Sequence, residues 1–176
     1  MRWLALVLLA AGCQVDLGVA KAVEAPAKKK LPPAPPAWLF LRPFGVFIEV
    51  PGDAELHPAG GVDAYHVISP SVPECQVTVV REAPGGGPTF AQVIADIEAG
   101  RNGHGVVHGF ARREETEGGW RIEWVAADPL EPIKLLHGVD VRTVVGGHTY
   151  HCFQMVATEP AQACVSRACV SLRQRH

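Results

Sequence analysis

The chain has 176 residues, 48% hydrophobic and 19% charged, an ordinary globular composition with enough apolar material for one folded domain. A formal charge of −2 carries no basic excess and excludes nucleic acid as an expected partner. The 18 glycines and 15 prolines fall in loops and one linker rather than in a repeat, so a solenoid is excluded as well.

Met1 and Arg2 precede an unbroken apolar run over residues 3–11, too short to cross a bilayer but matched to the core of a signal peptide. It is followed by Leu9, Ala10, Ala11, Gly12 and Cys13. This resembles the bacterial lipobox, in which small residues precede a cysteine that is lipidated and becomes the mature N-terminus. The resemblance implies a signal peptide over residues 1–12, lipidation at Cys13 and a membrane anchor of several acyl chains. Removal of Arg2 with the signal takes the net charge from −2 to −3. Gln14 after the cysteine, by analogy with enterobacterial sorting, favours the outer membrane over the inner.

Residues 13–37 have few core-forming side chains and end in Ala-Pro-Ala-Lys-Lys-Lys-Leu-Pro-Pro-Ala-Pro-Pro-Ala. Such proline density favours extended polyproline II at about 3.1 Å per residue, so this stretch is expected to be a disordered tether to a single domain over residues 38–176.

Residues 38–41 read as a short edge segment ended by Pro43. Residues 44–50 alternate Phe44, Val46, Ile48 and Val50 against Gly45, Phe47 and Glu49, a strand stopped by Pro51 and Gly52. A loop through Pro58 leads to a strand over 63–69, and a third strand over 74–81 is rich in β-branched residues. After the Pro84-Gly-Gly-Gly-Pro88 break, Thr89 and Gln92 form a capping box for a helix whose Phe90, Val93, Ile94 and Ile97 share one face and which Gly100 terminates. Strands follow over 105–112 and 119–126, joined by a polar turn over 114–118, and a short apolar piece over 133–136 leads on.

The last third is the most legible. Strands over 138–145 and 148–157 flank Gly146-Gly147, a pair suited to a primed hairpin turn because both positions accept positive φ. Thr158 caps the following helix, with Pro160 in its first turn. At about 100° per residue Ala161, Val165, Ala168 and Leu172 form a narrow apolar stripe, with Cys164 and Cys169 on opposite margins. Ser166 and Ser171 read as solvent-facing.

Strands, helix, four strands and helix give an α+β domain: an antiparallel sheet of about six to seven strands with helices packed on its faces. The stretch Phe47 to Pro51, the Thr89 helix, the Gly118-Gly119 turn into Trp120, Tyr150-His-Cys152, and Ala168-Cys169 through Arg173 resemble the fold of the oxygen-evolving-complex protein PsbP and the Ran-binding factor Mog. That resemblance, over about residues 44–173, implies an α/β/α sandwich and a role in protein binding or assembly rather than catalysis.

Besides Cys13 there are Cys75, Cys152, Cys164 and Cys169, which in an oxidising envelope suggest two disulfides with three connectivities. Cys164 and Cys169, five apart on one helix, lie roughly 8 Å apart and diverge, so each is expected to reach a strand cysteine. The length of the last strand favours Cys152 with Cys169 and Cys75 with Cys164. A zinc site, though without any Cys-x-x-Cys pair, and reduced buried thiols stay open as alternatives.

Five of the eight histidines lie from His104 to His151. Their spacing assembles no metal site: His104 and His108 would be about 13 Å apart along a strand, and His148 and His151 point to opposite faces. No Gly-x-Ser-x-Gly elbow surrounds Ser69, Ser71, Ser166 or Ser171, and the glycine runs lack the lysine and hydroxyl of a phosphate loop. Trp120 and Trp124 read as core residues. No catalytic, cofactor or metal residue is expected. The reading is a lipid-anchored envelope domain, not an enzyme, with a protein partner; the alternative is a metal-binding protein or hydrolase using the histidines from His104 to His151.

Overall fold

The alternation of apolar and polar residues along β7 (Gly119–Ala127), β8 (Leu135–Val145) and β9 (His148–Val156) builds the centre of a seven-stranded antiparallel sheet in the computed structural model, which describes residues 32, 34–61, 63–101 and 105–174. Outward from β9 come β5 (Val77–Arg81), β4 (Ala64–Ile68) and β3 (Glu55–Pro58), and outward from β7 comes β6 (Val107–Thr116). A second sheet of three strands places β2 (Val46–Pro51) between β1 (Pro36–Leu41) and β10 (Arg173–Gln174). With α1 (Phe90–Glu98) and α2 (Glu159–Val170) the domain is α+β, as expected from the order of its elements.

Several expectations need correction. The strand expected over 44–50 belongs to a separate three-stranded sheet and not to the main one. The folded part begins before Trp38: Pro36 already pairs with Pro51, and Gly52 N–H donates to Pro35 O at 2.8 Å, so the end of the proline-rich stretch is strand. Proline fits there because an edge strand leaves its N–H side unpaired. β3 lies in a segment read as loop; with only four residues, one of them proline, it carries almost no periodic signal. β6 runs through Thr116, past the polar turn expected from Glu114, because an edge strand can present Arg112, Arg113, Glu114 and Glu115 to water.

The local chemistry of the turns and caps matches the sequence. Gly146 and Gly147 have φ +58° and +79°. Thr89 accepts from Gln92 N–H while Gln92 Oε1 accepts from Thr89 N–H, and Gly100, at φ +62°, follows the end of α1. Thr158 Oγ1 accepts from Ala161 N–H at 3.3 Å.

Two cores lie on opposite faces of the main sheet. On one, α2 and β2 bury Ile48, Val77, Val79, Val139, Val141, Tyr150 and Val165. On the other, Val93, Ile94 and Ile97 of α1 cover Trp120, Ile122, Trp124 and Ala126 of β7. Gly138 is obligatory in the second core, since a Cβ there would lie 2.1 Å from the Trp124 ring.

Both disulfide pairs clamp α2. Cys75, in a 3-10 turn (Pro73–Cys75), pairs with Cys164 at a Cα separation of 5.7 Å, and Cys152 on β9 pairs with Cys169 at 5.3 Å. These are the pairings the strand length favours; the zinc-bound and reduced alternatives do not describe the structure. Ser166 is a correction: it is 2% exposed, donating to Glu123 Oε1 at 2.6 Å and accepting from Arg121 at 2.9 Å. Ser171 is half-buried, accepting from Glu49 N–H at 2.7 Å and donating to Ala168 O at 2.6 Å, which ties the end of α2 to β2.

Candidate functional site

α1 and its cluster cover β6, β7 and the Met155 end of β9 on their face. Across β4, β5 and β9 the same face carries His66, Ile68, Val80, His151, Phe153 and Met155, all half-buried, and no described helix packs over β4 or β5 on that side. The strand register places them in rows: His66, Thr78, Phe153 and Asp140 are consecutive partners across four strands, and Val80, His151, Arg142 and Trp120 form the next row. This half-open, mixed apolar and imidazole face is the most distinctive surface of the domain.

At its border sits a polar network around Asp140, 6% exposed. Its carboxylate accepts from Trp120 Nε1–H at 2.5 Å and lies 2.9 Å from His151 Nε2. The His151 ring stacks at 4.7 Å on Phe153. A buried carboxylate is costly unless hydrogen-bonded, and two ring donors meet that need here. Beside it, the Arg142 guanidinium lies 5.2 Å over the Trp120 ring, donates to Glu82 Oε2 at 2.8 Å and to Gly86 O at 3.2 Å. The glycines of residues 85–87 serve this arrangement: at Gly87, φ +93°, a Cβ would stand 2.7 Å from Glu82 Oε2. An open groove of about 410 Å³ runs between this loop, Trp120 and Arg142. Glu82 and Gly86 engage the Nε and Nη2 donors of Arg142, and the Glu82 carboxylate balances its charge.

The candidate residues of the sequence fare unevenly. Cys13 and His104 lie outside the described residues. His108 is exposed on β6, His137 half-buried on β8 and His148 exposed at the hairpin, while His151 alone of this group enters a network. Among the described residues no three His, Cys, Asp or Glu side chains are grouped closely enough to hold a metal ion. Among the same residues no hydroxyl or thiol hydrogen-bonds His151. Ser69 and Ser71 instead bracket the entry of the chain. Asp53 accepts from Ser69 Oγ–H at 2.6 Å and Ser71 N–H at 2.8 Å, and Ala34 N–H donates to Ser71 Oγ at 3.2 Å. The Ser69 hydroxyl holds the Asp53 carboxyl below its ordinary value of 3.8. Trp120 and Trp124 are core, at 3% and 1% exposed. Asp140 escaped the sequence reading, because in Gly-Val-Asp-Val it looks like a solvent-facing strand residue.

No protein-family model matches the chain, and no curated protein is similar to it. Among solved structures it is similar to a protein of Bacteroides thetaiotaomicron VPI-5482, at 11% identity and a TM-score of 0.41. The match covers 75% of this chain and 46% of that one, so the chain spans about half the length of that protein, a likeness too distant to carry an argument.

Proposed function

We propose that the protein is a bacterial envelope lipoprotein, anchored through an acylated Cys13 in the outer membrane, whose α+β domain is a non-catalytic protein-binding or assembly module with a PsbP/Mog-like sandwich architecture. The observation that carries the reading is the pair of disulfides that fasten α2. Two such bonds between distant segments form and persist in an oxidising compartment, where a signal peptide and lipobox would deliver the chain. A binding role is supported by surface chemistry. The half-open face is one element, and the loop before β8 is another, with Leu130 90% and Ile133 100% exposed beside Val106 at 73%. Large apolar side chains left to water on a folded domain are available to contact other macromolecules.

Palmitate labelling and fractionation of cells, followed by crosslinking and identification of partners, test the reading. The wild type is expected in the membrane fraction, labelled and crosslinked to a recurrent envelope protein. Cys13→Ala is expected to lose label, membrane retention and that crosslink together. An unlabelled, soluble wild type would refute the anchor, and a labelled protein with no recurrent crosslink would refute the binding role.

A further inference from the structure

Two of the three histidines outside the stretch from His104 to His151, His57 and His66, meet on the outer strands of the main sheet. His57 on β3 is the direct partner of His66 on β4. Leu56 and Tyr65 pack into the α2 core, so by strand alternation His57 and His66 share the opposite, open face. Opposed residues of an antiparallel pair have their Cβ atoms about 4.5–5.5 Å apart, a spacing at which two imidazoles can converge on one ion at about 2.0–2.1 Å from each nitrogen.

Two further features distinguish the pair from histidines that merely neighbour each other. His66 is oriented: its Nδ1 lies 3.0 Å from the hydroxyl of Thr78, which is 8% exposed on β5. With Nδ1–H donating to that oxygen, Nε2 is the ring's lone-pair nitrogen and faces away from the strand that holds it, the arrangement in which histidine ligands are usually fixed. His57, in turn, has the Glu55 carboxylate 3.6 Å from its Nε2, which adds negative charge to this edge of the sheet. We propose that His57 and His66 form a solvent-open site for a divalent transition-metal ion, with Thr78 positioning His66 and Glu55 supplying charge. Two imidazole ligands with the remaining positions left to water make an exchangeable site rather than a structural one. Imidazole nitrogen suits Cu²⁺, Ni²⁺ and Zn²⁺, and the general affinity order places Cu²⁺ first. This site is independent of the anchor and of the protein partner proposed above.

Calorimetric titration of the purified protein, free of any histidine tag, with CuCl₂ and ZnCl₂ tests it. One saturable ion per chain is expected, bound more tightly for Cu²⁺. His57→Gln and His66→Gln should each weaken binding tenfold or more, and Thr78→Val about tenfold through the freed ring. His108→Gln, exposed on β6, should leave it unchanged. The electron paramagnetic resonance spectrum of the Cu²⁺ form should show coupling to two imidazole nitrogens, reduced to one in either histidine variant. His57 is exposed, so its loss should not disturb the fold, which circular dichroism checks. Unaltered stoichiometry and affinity in the His57→Gln, His66→Gln double variant, or no nitrogen coupling in the wild type, would overturn the site. An unchanged Thr78→Val would overturn the positioning role.

Discussion

Replacing Cys75 and Cys164 together by alanine tests how the domain holds its last helix. The bond spans 89 residues, and closing a loop of that length in the unfolded chain removes entropy worth about 4–5 kcal/mol. The Cys152–Cys169 bond spans 17 residues and by the same reckoning contributes about 3 kcal/mol. Burial narrows the gap: Cys152 and Cys169 are wholly buried, so their truncation also leaves a cavity, whereas Cys164 is half-exposed and only Cys75 is deeply packed. The Cys75→Ala, Cys164→Ala variant is therefore expected to lose about 4–5 kcal/mol in urea unfolding and about 10–18 °C in Tm. Its m-value should rise, since an unfolded chain freed of a long cross-link exposes more surface. Thiol titration of the denatured, unreduced wild type should detect none of the four cysteines. A loss below about 1 kcal/mol with an unchanged m-value, or reactive thiols at Cys75 and Cys164 in the wild type, would refute the reasoning.

Asp140→Ala removes the acceptor of a buried indole N–H and is expected to cost about 1–3 kcal/mol in urea unfolding, with Asp140→Asn costing less because an amide oxygen can still accept from Trp120. Equal losses for the two would show that the indole bond is not what the carboxylate contributes. Asp53 has its carboxyl held low by the Ser69 hydroxyl, so the folded state favours the ionised form. That contribution is fully present above the ordinary value of 3.8 and is lost as pH falls through the lower folded value. Unfolding curves measured from pH 6 downward should therefore show a shallower acid-side decline for Asp53→Asn than for the wild type; parallel curves would contradict the assignment.

The hairpin, both helix caps and the pairing of the four cysteines were legible because each is written in local chemistry: two glycines at positive φ, a threonine three residues before its hydrogen-bond partner, and two cysteines whose spacing on one helix turns them away from each other. What escaped was set by partners distant in sequence. The Phe44 to Val50 alternation correctly announces a strand, but nothing in it says that β2 leaves the main sheet to lie over α2. Arg121 and Glu123 look like the wet side of β7, and Ser166 like the wet side of α2. Ser166 is buried and the two charges half-buried because the hydroxyl joins both at the helix–sheet contact. A polar seam inside a core has the same periodicity as a solvent face, and only the packing distinguishes them.

The same limit applies to the site, with the opposite sign. Density along the chain drew notice to the histidines from His104 to His151, yet strand geometry disperses those it describes, to a β6 edge, the start of β8, a hairpin tip and the Asp140 network. His57 and His66, nine apart across a proline and two glycines, seemed unrelated because β3 is too short to be read as a strand. Once the β3–β4 turn is formed, register alone makes them opposed partners, and a threonine two strands in from the edge fixes one ring. In a sheet, side chains are brought together by register rather than by closeness in sequence, so a function that resides on this face depends on pairings that a single strand does not encode.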